Sequence, residues 1–317
     1  MAEKVLIYSR FPKSQMVRIG ERFDLLDAAG KPPLEKFSAD ELKDVRTMIT
    51  AGGQLLPAAV MDTLPALGAI ICYGTGYDGV DFKAAAERGI VVGNSPGANA
   101  ASVADLALTL MLATTRRLIP ADQYVREGGW SGARPSPLMA PQPGNAGRKV
   151  GVYGMGEIGR KIAARVAAFE CDVAYTNRTR YDELPYRYEA DLAALVEWCD
   201  VLMIAVRAGK ETHHIIDAEM LKKLGPNGHV VNISRGSVID QAALVQALAD
   251  KTIAGAGLDV FEKEPHAPDA LTAFPNVVLT PHIGGHTQDS HRAMQDCVIA
   301  NLNAYYAGQA LPYPVHV

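Results

Sequence analysis

Short apolar runs separated by amphipathic stretches recur along the first ninety residues. Runs 5–8, 46–49, 69–72 and 90–92 read as strands, and segments 14–20, 57–64 and 82–88 carry the spacing of helices. Strands alternating with helices predict a parallel sheet. A second series follows, with strands predicted at 149–153, 172–176, 201–206, 229–233, 253–260 and 277–279, enough for a complete doubly wound sheet. Between the two series lies an alanine- and leucine-rich segment, 99–118, apolar on most faces and expected to be one buried helix joining two bodies. Residues 131–147 are rich in proline and glycine and read as a wrapping loop. The last helix, 288–307, carries Met294, Val298, Leu302 and Tyr305 along one face. It is expected to cross back onto the first body, giving one domain of residues 1–98 plus 286–317 and another of 99–285.

A chain of 317 residues exceeds the size of a single core, which agrees with two domains. The net charge of −4 and the lack of any basic run argue against nucleic acid or an anionic membrane as a partner. Met1 to Lys4 lead directly into the first strand without a signal-peptide core, and no apolar run reaches spanning length, so a cytoplasmic protein is expected. Cys72, Cys171, Cys199 and Cys297 lack metal-ligand spacing and are expected to be buried free thiols.

The most specific local signal is Gly154-Met155-Gly156-Glu157-Ile158-Gly159, directly after the strand 149–153. A first glycine lets the chain turn off the strand, a second lets the backbone approach a pyrophosphate, and a third lets the next helix pack closely. That helix would aim its free N–H groups at the phosphates. The fold expectation is therefore α/β with two doubly wound parallel-sheet domains, a flavodoxin-like substrate domain and a Rossmann cofactor domain, facing each other across a cleft.

Ligands in such sheets bind beyond the carboxyl ends of the strands. Arg235, Glu264 and His282 fall at three successive strand ends. Arg235 can pair with a carboxylate through its planar fork and polarise an adjacent carbonyl. His282 can protonate the carbonyl oxygen, and Glu264 would fix its tautomer and favour the protonated ring. The chemistry suited to this set is reversible hydride transfer to a 2-oxo acid.

At this point the chain resembles the D-isomer-specific 2-hydroxyacid dehydrogenases over nearly its whole length. The resemblance rests on Gly74-Thr75-Gly76-Tyr77-Asp78, on the stretch from Asn94 to Asn99 followed by Ser102-Val103-Ala104-Asp105, and on Gly154 to Gly159. It continues through Asn232 to Ser237, Gly257 to Pro265 and Thr280 to Gly285. It implies the roles of Arg235, Glu264 and His282 given above. It also implies that Asp259 holds the nicotinamide carboxamide and that the amides of Thr75 and Gly76 receive the substrate carboxylate, beside Gly53, Tyr73 and Gly74. Val206, Arg207, Ser234, Gly284 and Gly285 would complete the cofactor site. A homodimer through the cofactor domains is implied, with 99–118 and 131–147 taking part. Asp105 stands where the family commonly has glutamate, and Arg207 where proline or a small residue is frequent.

The strand ending at Thr176 is followed by Asn177-Arg178-Thr179-Arg180 and not by an acidic residue. A carboxylate there would bind the ribose diol of NAD, whereas arginines favour a 2′-phosphate. NADP(H) is therefore expected, with NADPH preferred over NADH. A chain of this type is similar to the glyoxylate and hydroxypyruvate reductases. Pocket walls are expected from residues 49–53 and Tyr73, with Met139 from a partner chain. A reductase for a larger acid such as a phenylpyruvate is the alternative, and a nucleotide-sensing scaffold resembling transcriptional corepressors is a third reading.

Overall fold

The computed structural model describes residues 2–131 and 143–315. The expected loop 131–147 and the expected contribution of Met139 therefore fall largely or wholly outside the described residues. The chain divides into two compact units, residues 1–99 with 286–317 and residues 100–285.

In the first unit, β1 (Lys4–Ile7), α1 (Lys13–Gly20), β2 (Asp24–Asp27), α2 (Ala39–Leu42), β3 (Thr47–Thr50), α3 (Ala58–Met61), β4 (Ala69–Cys72), α4 (Phe82–Glu87) and β5 (Val91–Gly93) are joined by the C-terminal helix Gln288–Tyr306. The sheet is wholly parallel in the order β2-β1-β3-β4-β5, the flavodoxin-like order. Central strands of such a sheet are covered on both faces, which is why β3 and β4 are apolar or uncharged at every position and buried throughout. Alternate residues serve opposite faces. Leu6, Met48, Ile70 and Cys72 join one cluster with Leu42, Val60 and Ala84. Val5, Ile7, Ile49, Ala69, Ile71 and Tyr73 join another with Met16 and Ile19 of α1 and Met294, Val298 and Leu302 of the C-terminal helix. That helix thus packs on the first unit as expected. The edge strand β2 was not expected, because Asp24 and Asp27 bound only two apolar residues.

The second unit contains α5 (Ala100–Thr115), α6 (Leu118–Arg126), β6 (Lys149–Tyr153), α7 (Glu157–Ala168), β7 (Asp172–Thr176), β8 (Arg187–Tyr188), α8 (Leu192–Trp198), β9 (Val201–Ile204), α9 (Ala218–Leu224), β10 (His229–Asn232), α10 (Gln241–Ala249), β11 (Gly255–Leu258), α11 (Asp269–Thr272) and β12 (Val277–Leu279). Its parallel sheet runs β12-β11-β10-β9-β6-β7-β8, so the strand order reverses between β6 and β9. The nucleotide crevice of this architecture lies at that reversal.

Two expectations are corrected. The single helix 99–118 is two helices: α5 ends at Thr115, and Arg117 takes the left-handed conformation (φ 51°) before α6 begins. Helix α5 is buried along much of its length. It lies so close to β11 that a Cβ on Gly257 would stand 2.9 Å from Leu110 Cβ, and its Asp105 pairs with Arg165 of α7 at 2.6 Å. Helix α6 buries none of its residues. Among the cysteines, all free, Cys72, Cys171 and Cys199 are buried but Cys297 is only half-buried. Among the described residues no helix is long and apolar enough to cross a membrane, and no group of three or more His, Cys, Asp or Glu side chains could hold a metal.

Candidate active site

The glycine turn after β6 is built as its sequence implies. Gly154 has φ 98°, and a Cβ there would meet the Ala205 carbonyl oxygen at 2.7 Å. A Cβ on Gly159 would stand 1.9 Å from the Gly154 carbonyl oxygen, so α7 can approach the turn only with glycine there. Gly156, the N-cap of α7, has nothing within 4 Å of its Cβ position. The first turn of α7 therefore presents unobstructed backbone, with Glu157 and Ile158 leading the helix, and this fits a dinucleotide pyrophosphate. Met155 is fully buried, and its N–H donates to Asn177 Oδ1 at 3.2 Å. Asn177 Nδ2 donates in turn to the Thr179 carbonyl at 2.9 Å, tying the glycine turn to the loop after β7.

In that loop Arg178, Thr179 and Arg180 are exposed. The Arg180 guanidinium pairs with Asp182 at 2.7 Å. After β9, Val206 packs beside the Gly154 turn, its Cγ1 2.9 Å from the Gly154 Cβ position, and Arg207 is exposed.

The end of β10 is organised by one amide side chain. Asn232 is 1% exposed; its Oδ1 accepts from the N–H and Oγ of Ser234, at 3.0 and 2.8 Å, and its Nδ2 donates to the Arg235 carbonyl at 2.8 Å. This wraps the chain so that Arg235 follows the strand directly. A Cβ on Gly236 would overlap the Phe261 carbonyl carbon at 1.9 Å, so the β10 and β11 connections are in close contact. The Arg235 Nη1 donates to the Ser234 carbonyl at 2.8 Å, and the guanidinium is near enough to Glu264 to lower its pKa.

Asp259 is 1% exposed and holds the turn that carries the histidine. Its Oδ1 accepts from Thr280 Oγ1 at 2.6 Å and from the Ile283 N–H at 2.8 Å, and its Oδ2 from the Gly284 N–H at 2.8 Å. A buried carboxylate is retained when several donors satisfy it. His282, bracketed by those contacts, sits at φ 53° with its N–H on the Thr280 carbonyl at 3.0 Å. Gly284 is buried and Gly285 partly so.

The His282 Nδ1 lies 2.6 Å from Glu264 Oε2, both side chains being part-exposed. Burial raises the Glu264 pKa, but the His282 hydrogen bond and field, the Phe261 N–H at 3.2 Å on Oε1 and the Arg235 charge together hold it below the ordinary carboxylate value. With Glu264 ionised, Nδ1 carries the proton of that hydrogen bond, and Nε2 is the ring nitrogen left to exchange a proton with a bound molecule.

In the first unit, the loop 74–76 leaves β4 and is pinned on several sides. The Gly74 carbonyl accepts from the Ser95 N–H at 3.1 Å, Thr75 Oγ1 donates to Asn99 Oδ1 at 2.9 Å, and Asn94 Nδ2 donates to the Thr75 carbonyl at 2.8 Å. A Cβ on Gly52 would overlap the Gly76 carbonyl oxygen at 2.0 Å, which brings the 52–53 turn against this loop. Gly53 is exposed, but Ile49 and Thr50 are fully buried in β3 and Tyr73 is 4% exposed. Ile49 and Tyr73 pack into the core of this sheet, and Thr50 Oγ1 lies 3.2 Å from Ser9 Oγ. Sequence reasoning missed the structural duties of Asn232 and of Asp259's carboxylate, and it missed His291, whose ring meets the Tyr73 hydroxyl. The signal for the first two was their place at strand ends; His291 had none.

Comparison with known proteins identifies the family. Residues 108–284 match the family model of the D-isomer specific 2-hydroxyacid dehydrogenase, NAD binding domain. A 2-ketogluconate reductase of Gluconobacter oxydans is 41% identical over 88% of this chain and 90% of its own. A hydroxyphenylpyruvate reductase of Plectranthus scutellarioides is 36% identical over 94% of both chains. The crystal structure of an NADPH-dependent glyoxylate/hydroxypyruvate reductase from Sinorhizobium meliloti, in complex with NADP and malonate, superimposes with a TM-score of 0.91. It is 38% identical, with 99% of this chain and 97% of that one covered. The chain belongs to the D-isomer-specific 2-hydroxyacid dehydrogenase family. It is an oxidoreductase with an NAD(P)-binding Rossmann unit, and its relatives reduce 2-oxo acids of several sizes.

Proposed function

We propose that the protein reduces small 2-oxo acids, glyoxylate and hydroxypyruvate, to glycolate and D-glycerate with NADPH. The observation that carries the chemistry is the 2.6 Å contact of His282 Nδ1 with an ionised Glu264 in the unit that also bears Arg235. Bound nicotinamide supplies the hydride. His282 Nε2 gives the proton to the carbonyl oxygen, Glu264 keeps the ring in the required tautomer, and Arg235 pairs with the substrate carboxylate and polarises its carbonyl. The amides of Thr75 and Gly76 receive the carboxylate from the first unit, which serves as the substrate domain. Residues 100–285 serve as the cofactor domain, where Asp259, with Ser234, Gly284 and Gly285, would hold the nicotinamide carboxamide.

The NADPH preference rests on Arg178. It is exposed in the loop after β7, where no acidic side chain follows the strand, while Arg180 is already engaged by Asp182. The Sinorhizobium relative solved with NADP supports the same choice. Dimer formation through the cofactor domains is supported by the apolar side chains that α6 and its following turn leave exposed: Leu118 (55%), Val125 (53%) and Trp130 (68%).

The test is the initial rate of NADPH and NADH oxidation, side by side, on glyoxylate, hydroxypyruvate, pyruvate and phenylpyruvate. Fast NADPH oxidation with the first two acids is expected. A preference for the aromatic acid would move the protein toward its hydroxyphenylpyruvate-reducing relative, the second reading. Binding of nucleotide without turnover of any acid would favour a scaffold.

A further inference from the structure

We propose that Tyr175 and Tyr188 are positioning residues for nucleotide selectivity: their hydroxyls pin the two ends of the loop that carries Arg178, so that its guanidinium meets a 2′-phosphate from a backbone already in place. The inference rests on the reading of Arg178 as the 2′-phosphate ligand. The two tyrosines are register partners on the neighbouring parallel strands β7 and β8, so both side chains leave the same face of the sheet. Their ring centroids are 5.3 Å apart. Tyr175 belongs to the buried cluster of Val150, Val152, Ile162 and Val166, and Tyr188 is partly buried against it.

Each hydroxyl meets the loop backbone. Tyr175 is fully buried, and its oxygen accepts from the Tyr181 N–H at 2.8 Å while its O–H donates to the Tyr181 carbonyl at 3.2 Å. The Tyr188 O–H donates to the Asn177 carbonyl at 3.2 Å. Arg178 thus stands between one anchored residue directly before it and another three residues after it. Within that span Asn177 Nδ2 also holds the Thr179 carbonyl at 2.9 Å, on the other side of Arg178. A phenylalanine at 175 would serve the core as well. The hydroxyl needs partners once it is buried, and both of those it has belong to the loop. Lifting Tyr181 away would leave that hydroxyl unpaired in the core, so the packing of the sheet holds the loop closed.

The far end of the loop is braced from outside as well. Arg160 of α7 lies over the Tyr181 ring, 4.1 Å from its centroid, and reaches Glu183 Oε1 with both terminal nitrogens, at 3.1 and 3.0 Å. Arg180 is taken by Asp182 at 2.7 Å. Arg178 is exposed and has no such carboxylate partner among the described residues. A guanidinium recognises a phosphate through parallel N–H bonds of fixed geometry, so affinity falls when the backbone beneath it must be ordered at the moment of binding. NADH has no 2′-phosphate for Arg178 to hold and gains nothing from that order.

The experiment measures Kd for NADPH and for NADH by nicotinamide fluorescence, with no oxo acid present. It compares the native protein with Tyr175→Phe, Tyr188→Phe, Arg178→Ala and the two double variants that join each tyrosine change to Arg178→Ala. Each tyrosine variant is expected to raise the NADPH Kd roughly threefold to tenfold, the worth of a lost hydrogen bond, and to leave the NADH Kd near native. On the Arg178→Ala background the same changes should be silent, because the group they position is gone. A general loosening of the unit would weaken both nucleotides and would persist without Arg178. If Tyr175→Phe does not fold, Tyr188→Phe decides, since Tyr188 is only partly buried. A native NADPH Kd in either folded tyrosine variant, an equal weakening of NADH, or the same loss on the Arg178→Ala background overturns this inference and leaves the phosphate reading standing. An unchanged NADPH Kd in Arg178→Ala overturns the phosphate reading, and this inference with it.

Discussion

His229 opens β10 at the amino end of the cofactor sheet, away from the strand ends that carry Arg235, Glu264 and His282, and it makes the stability of that unit sensitive to acid. Its ring is 8% exposed and its Nδ1 has no hydrogen-bond partner among the described residues. Burial, then the Arg148 guanidinium and, more weakly, that of Arg117, push its pKa down to about 4. A hydrogen bond to the Asn227 backbone and the charge of Asp200 oppose them. The folded unit therefore binds the neutral ring, and an unfolded chain protonates it near 6.5. Stabilisation from this group is fully present above that value and is lost as pH falls from 6.5 toward 4. At 1.36 kcal/mol per pH unit the whole window amounts to about 3 kcal/mol, of which about 2 kcal/mol is gone by pH 5.

Both tryptophans of the chain, Trp130 and Trp198, lie in residues 100–285, so their fluorescence during urea unfolding follows this unit alone. Urea midpoints and slopes would be measured at pH 8 and pH 5 for the native protein and for His229→Phe. Phenylalanine is apolar, suits a buried strand position and takes no proton. Other titrating groups contribute equally to both proteins, so the difference of differences isolates His229. The native unit is expected to lose about 2 kcal/mol more than the variant between the two pH values. Equal losses in the two proteins would refute the claim that the ring is held neutral by its surroundings.

Three further outcomes are expected. Glu264→Gln keeps a hydrogen-bond acceptor for His282 but removes the charge, and kcat for the oxo acid should fall roughly tenfold to a hundredfold, part of what acid-base catalysis supplies, with the NADPH KM unchanged; an unchanged kcat would remove Glu264 from the proton-donor unit. Arg178→Ala should raise the KM for NADPH roughly tenfold to a hundredfold through the loss of charged hydrogen bonds and leave that for NADH nearly alone, whereas Arg180→Ala should do less because Asp182 already holds that guanidinium; equal changes for both cofactors would defeat the phosphate reading. Gly159→Ala sets a methyl group 1.9 Å from the Gly154 carbonyl oxygen, and a loss of about 1–3 kcal/mol of thermal stability with weakened nucleotide binding is expected; native melting and binding would show that α7 does not need this close approach.

The two sheets were legible because central parallel strands are buried on both faces and so read as apolar runs, continuous in β4 and β9 and bounded by single polar residues in β3 and β10. Edge strands lack that signature. Arg187–Tyr188 is a two-residue strand, and Asp24–Asp27 is half polar, so neither stands out from a loop. The break between α5 and α6 escaped notice because apolar residues continue past it. The adjacent Arg116 and Arg117, with Pro120 in the first turn of the next helix, were the available warning, since proline belongs at a helix start and not in its interior. Glu264, His282 and Arg235 were found because each follows a predicted strand in a fold whose ligands bind at strand ends.

The side chains that hold these candidate groups follow a different rule. Asp259 stands at the end of β11 but repeats no spacing, and its two oxygens gather Thr280, Ile283 and Gly284 and thereby fix the turn that presents His282 in a left-handed conformation. A histidine there is strained by its Cβ, and the strain is tolerated because three hydrogen bonds to a buried carboxylate over-determine the turn. The constraint spans roughly twenty residues of sequence and no period of helix or strand encodes it. Orientation of the His282 ring thus depends on two acidic residues with separate tasks: Asp259 sets where the backbone puts the ring, and Glu264 sets which nitrogen carries the proton.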